Sequence, residues 1–204
     1  MRFIRGLVGL TCVIVAIAFS QQFFAQAPQT KAPATAPAPK AAAPAQASGV
    51  DRGKYLVTIM GCHDCHSPKT NNEPDPKRLL SGHPANDKLP GVPAGLLAPD
   101  KWGTLANNHL TAWVGPWGVS FAANLTPDKV TGLGSWTPEM FANALRTGKH
   151  RGEANGRPIL PPMPWPMYKD LTDGDLRAMF AYLQSLPPIN NMAPPPLSPD
   201  KIPR

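Results

Sequence analysis

Cys62-His63-Asp64-Cys65-His66 closes the stretch RGKYLVTIMGCHDCH, residues 52–66. The two thiols stand three positions apart, so one turn of helix points both to the same side. A pair so placed can form thioether bonds to the two vinyl groups of a single haem. The next residue, His66, then lies against the iron. Two other chemistries use paired cysteines. A redox dithiol of the thioredoxin type wants a βαβ surround, and none is visible around the run. A structural zinc site wants a second Cys or Cys/His pair at close spacing. The only other cysteine, Cys12, sits in an apolar N-terminal run. Covalent haem is the reading carried forward, with Cys62 and Cys65 as its thioether residues and His66 as an iron ligand.

Upstream, residues 1–5 carry Arg2 and Arg5, and residues 6–19 are apolar and uncharged. This is the pattern of an export signal, expected over 1–20. The competing reading is an uncleaved anchor, because residues 3–24 approach the ~20 needed to span a bilayer. Export agrees with the motif, since bacteria attach haem to C-x-x-C-H outside the cytoplasm. Residues 21–49 are mostly Ala, Pro, Gln, Thr and Lys, a composition that cannot bury a core, and read as a semi-rigid linker.

Formal charge says little about partners. The chain carries +7, but four positive residues precede position 51 and all thirteen acids lie at or after Asp51. Sixteen basic residues then face thirteen acidic ones. No Lys/Arg cluster with interleaved aromatics marks a nucleic-acid surface.

Downstream, residues 50–62 read as a first helix with Tyr55, Ile59 and Cys62 on its buried stripe. Residues 67–120 are rich in Pro and Gly and weakly periodic. They are expected to form an irregular insert with one short helix or hairpin. Its His83 and His109 are alternative iron ligands, against the plainer reading of surface or hydrogen-bonded histidines. Thr137-Pro138-Glu139 opens a second long helix, with a hydroxyl cap and Pro at the first position. Its expected buried face is Phe141, Ala144 and Leu145, with Met140 beside them, and Gly148 ends it. Five prolines between Pro158 and Pro166 argue against a helix there and put Met163 and Met167 on a stiff loop. A thioether is a soft iron ligand, but four extended residues span ~13 Å, so both cannot reach one iron. Met163, clamped by proline on both sides, is preferred, with Met167 as the alternative. Thr172 caps a last helix whose stripe is Leu176, Met179, Phe180 and Leu183. Residues 191–204 are expected to be a loose, Pro-rich tail.

This order, with NLTPDKVTGLGSWTPEMFANALRTGKH (124–150) and LPPMPWPMYKDLTDGDLRAMFAYLQSLPP (160–188) following the haem motif, resembles a class I cytochrome c. It is similar in particular to the cytochrome modules that serve bacterial periplasmic dehydrogenases and oxidases. The matching stretches cover about a third of the chain. The resemblance implies an all-α fold over 50–190, here with the 67–120 insert, in which the first and last helices cross and Gly53 and Tyr55 meet Tyr182. It implies Cys62 and Cys65 as covalent haem residues, His66 as proximal ligand, Met163 as distal ligand, and one-electron transfer with redox protein partners. A single C-x-x-C-H implies one haem. Trp136 and Trp165 are candidates to line it. The alternatives kept open are a haem enzyme or gas sensor with an open or labile distal site, and a bound component of a dehydrogenase or oxidase.

Overall fold

A computed structural model of the chain describes residues 49–204, so the expected export signal and all but the last residue of the expected linker lie outside the described residues. Among the described residues there are five α-helices: α1 (Gly49–Ile59), α2 (Cys62–His66), α3 (Pro138–Thr147), α4 (Trp165–Tyr168) and α5 (Asp173–Gln184). None of the described helices is long and apolar enough to cross a membrane.

The expected first helix is two helices. Gly61 adopts φ 67, a left-handed conformation that ends α1 and lets α2 start in a new direction. The expected buried stripe is also displaced. Gly53, Leu56 and Val57 are buried, whereas Tyr55 and Ile59 are more than half exposed. The reason is Gly53. A Cβ there would lie 1.9 Å from the Ala178 carbonyl oxygen and 2.8 Å from Tyr182 Cβ. The α1 backbone therefore rests directly on α5, and the residues flanking Gly53 on that face go inside. Tyr55 is turned outward beneath the Arg52 guanidinium.

Helices α3 and α5 follow their sequence signals. The Thr137 hydroxyl accepts from Met140 N–H, and the Thr172 hydroxyl accepts from Asp175 N–H, each satisfying one unpaired helix donor. Phe141, Ala144 and Leu145 are buried on α3, and Leu176, Met179, Phe180 and Leu183 on α5. All of these but Ala144 join Leu56, Val57, Leu80 and Leu133 in one core.

The insert is largely irregular and carries a hairpin, as expected, but its regular elements are strands, so an all-α description does not extend to it. Two short strands, β1 (Lys69–Thr70) and β2 (Glu73–Pro74), pair antiparallel. Three more, β3 (Leu105–Ala106), β4 (Ala112–Gly115) and β5 (Gly118–Phe121), form an antiparallel sheet in the order β3-β4-β5. Hairpin β4–β5 turns at Pro116-Trp117 between paired Gly115 and Gly118.

The tail expected to be loose is tied to that sheet. Val119 and Leu197 exchange both backbone hydrogen bonds, at 2.8 and 3.0 Å, and Val92 N–H donates to Pro203 C=O at 2.8 Å. A second, smaller core of Val92, Val114 and Val119 takes in Leu197 and Ile202 from the tail. A proline-rich strand can pair in this way because it offers its few N–H groups and its carbonyls at a sheet edge.

Candidate haem site

Helix α2 is five residues long, and neighbouring segments position it. His66 C=O accepts from Gly82 N–H at 2.8 Å, and Ser67 Oγ accepts from Leu80 N–H at 2.9 Å. The Lys69 ammonium donates to the carbonyls of Asp64 (2.7 Å), Ser67 (3.1 Å) and His63 (3.3 Å). A cation there offsets the negative end of the helix. His66 Nδ1 lies 2.7 Å from Ala123 O. A carbonyl can only accept, so Nδ1 carries the proton and Nε2 keeps its lone pair, as a metal-ligating histidine requires. Burial also lowers the His66 pKa and favours the neutral ring.

A cavity of about 620 Å³ opens beside α2. Cys62, Cys65 and His66 line it, and so does Met163 from the loop before α4. Leu133, Phe141, Leu145, Met179 and Leu183 bring the helical core to its wall. Trp113 and Ser120 bring the insert, and Phe121, Ala122 and Ala123 the residues just after it. Three basic residues, His150, Arg151 and Arg157, complete the lining. Burial lowers the pKa of Arg157, a guanidinium short of water. Burial, together with the charges of Arg157 and Arg151, lowers that of His150. Arg151 stacks on Trp136 at 5.9 Å and pairs with Glu153.

The two methionines separate. Met163 is partly buried and packs on the main core. Met167 is 79% exposed and does not line the cavity. It lies in α4, a single helical turn that the proline count argued against. Pro166 fits there because its missing N–H falls in the first turn, where no intrahelical acceptor exists. Trp136 lines the cavity, whereas Trp165 packs against Gly148. Neither insert histidine reaches the cavity. His83 is fully buried with Nδ1 2.9 Å from the Thr111 hydroxyl. His109 accepts from Lys69 N–H through Nδ1.

The donor chemistry separates the readings of the cysteine pair. Burial pushes the Cys62 thiol up to about 11 and raises that of Cys65 as well. A reactive redox dithiol needs the opposite shift. Among the described residues, no group of three or more His, Cys, Asp or Glu side chains is placed to hold a metal ion. Haem c fits what is present: two adjacent thiols, an imidazole nitrogen with a free lone pair, a thioether, apolar walls, and basic groups able to face two propionates. Sequence reasoning missed the Ala123 carbonyl, which carries no side-chain signal. It also missed Arg151 and Arg157, whose signal was a basic, Gly-punctuated run, KHRGEANGR (149–157).

No family model matches the chain. It is 28% identical over 155 residues to the fructose dehydrogenase cytochrome subunit of Gluconobacter japonicus, covering 76% of this chain and 24% of that one. With the gluconate 2-dehydrogenase cytochrome c subunit of Pantoea cypripedii the identity is 30% over 133 residues, 65% of this chain and 22% of that one. With the cytochrome c subunit of a quinone alcohol dehydrogenase of Gluconobacter oxydans it is 38% over 133 residues, 65% of this chain and 20% of that one. The chain thus spans about a fifth to a quarter of the length of these curated relatives. By sequence, it is a relative of the cytochrome c subunits of bacterial dehydrogenases.

Proposed function

We propose that the chain is a monohaem c-type cytochrome that carries single electrons for an exported dehydrogenase or a respiratory complex. The observation that carries this reading is the meeting of Cys62, Cys65, His66 and Met163 at one largely apolar cavity. Cys62 and Cys65 would hold haem covalently, with His66 as proximal and Met163 as distal ligand. Haem supplies the ferrous–ferric couple when bound.

The chain's own residues do the rest. Ala123 fixes the His66 ring and its tautomer through the 2.7 Å contact. The apolar lining from Leu133, Phe141 and Met179 keeps water from the ligands, and so limits reorganisation and favours the less charged state. Arg151 and Arg157 would set counter-charge beside the propionates. With His66 and Met163 both holding the iron, no site would be left for substrate. Substrate chemistry would then belong to a partner, and the relatives named as cytochrome subunits of dehydrogenases support such a partner. Function as part of an exported assembly also accords with the signal-like residues 1–20.

A covalent haem assay tests the reading. One haem per chain should survive denaturation, and Cys62→Ala with Cys65→Ala should release it. His66→Ala should abolish stable ligation. Haem lost from the wild type on denaturation would contradict the assignment. Rapid carbon monoxide binding to the native ferrous protein would instead favour the gas-sensor or enzyme alternative.

A further inference from the structure

The insert's sheet meets the methionine loop through a side-chain hydrogen bond. Ser120, on β5, is 7% exposed and donates its hydroxyl to Pro161 C=O at 2.6 Å, two residues before Met163. That loop has little with which to anchor itself. Pro161, Pro162 and Pro164 have no N–H, and Met163 N–H is spent on Leu160 C=O. Its main chain offers mainly acceptors, so the donors that hold it must come from elsewhere.

Ser120 is set up to be such a donor. Trp117 Nε1–H lies 3.3 Å from Ser120 Oγ and donates into it, which leaves the hydroxyl proton to the Pro161 carbonyl. The Trp117 indole is itself pinned on Gly115, where a Cβ would lie 2.4 Å from the ring. Three residues after Ser120, Ala123 C=O receives the His66 ring. One short stretch of chain therefore braces the loop of Met163 at one end and His66 at the other. Ala122 N–H fastens this stretch to Thr111 C=O at 2.8 Å.

We propose that Ser120 is a positioning residue for Met163: it holds the proline-rich loop against the insert and so keeps the thioether at its ligating place. This rests on the His66/Met163 ligation proposed above. It gives the 67–120 insert a role in setting the distance between the two ligands.

The test uses the full-length, haem-loaded protein and three variants: Ser120→Ala, Ser120→Thr and Leu197→Ala. Two readouts follow the methionine rather than the fold. They are the pH at which the far-red ferric band of Met–iron ligation is lost, and the rate of carbon monoxide binding to the ferrous form. Ser120→Ala should raise the binding rate about fivefold, the weight of one neutral hydrogen bond, and shift loss of the band to lower pH. Ser120→Thr keeps the hydroxyl and should restore both. Leu197→Ala keeps the backbone pairing with Val119 and only trims the second core, so it should lower thermal stability while moving neither readout. Wild-type behaviour of Ser120→Ala would overturn the proposal. So would equal effects from Leu197→Ala, which would reduce Ser120 to general packing. If the wild type itself lacks the far-red band, Met163 ligation falls first, and Ser120's role with it.

Discussion

The helical body and the insert with its tail are built by different means. In the body, α3 and α5 announce themselves locally, each through a hydroxyl cap and an apolar stripe at three-to-four spacing, and α3 through a glycine stop as well. The insert's sheet is a hairpin with one added strand, but its ties to the tail, Val119 with Leu197 and Val92 with Pro203, are distant in sequence. The body holds the larger core, ten buried residues against three, yet both regions reach the cavity wall. A site can therefore draw its chemistry from locally coded segments and its bracing from segments that only tertiary pairing defines.

The contrast predicts that breaking the body does most damage. Gly53→Leu would drive a side chain into the Ala178 carbonyl, and backbone there cannot yield cheaply. A loss above about 4 kcal/mol is expected, enough to stop accumulation of folded protein. A near-normal thermal midpoint would show that α1 does not rest on α5 as described.

Next comes the tail. Leu197→Ala should cost about 2 kcal/mol, the low end for leucine because the side chain is only partly buried. Loss of the haem spectrum along with stability would mean that the two cores unfold as one.

The methionine pair sharpens the comparison at the site. Met163→Ala should lower the reduction potential and open the ferrous form to carbon monoxide. Met167→Ala, at a 79% exposed position, should change neither. The reverse result would move the distal ligand onto α4.

The smallest effect lies at the α1–α5 ion pair. Arg52 Nε donates to Asp175 at 2.9 Å, and that hydrogen bond lowers the Asp175 pKa. A carboxylate with a depressed folded pKa adds stability above its unfolded pKa of ~3.9 and loses it as pH falls through the folded value. Arg52 is about half exposed, so solvent screens the pair and its contribution is small. Asp175→Asn should show that small loss in denaturant melts at pH 7 and none in strong acid.

Legibility follows the same division. Thr137 and Thr172 were readable as caps because capping is a local hydrogen bond. Cys62, Cys65 and His66 could be singled out because the chemistry proposed for them demands fixed spacing, and the fold brings all three to one cavity wall. The inward face of α1 was misread because periodicity alone favours Tyr55 and Ile59, whereas a glycine contact made elsewhere decides the face. The one-turn helix holding Met167 was hidden by a proline that suits a first turn as well as a break. The sheet and the docked tail left only short strands and prolines to read, since Leu197 gains meaning from Val119, far back in the chain.

The most direct test of the central claim is the absorption spectrum of the purified protein, ferric and then ferrous. The account predicts a low-spin ferric form with the weak far-red band of methionine–iron ligation, and a ferrous form slow to bind carbon monoxide. A high-spin ferric spectrum would contradict it, because the distal position would then be open and Met163 would not be a ligand.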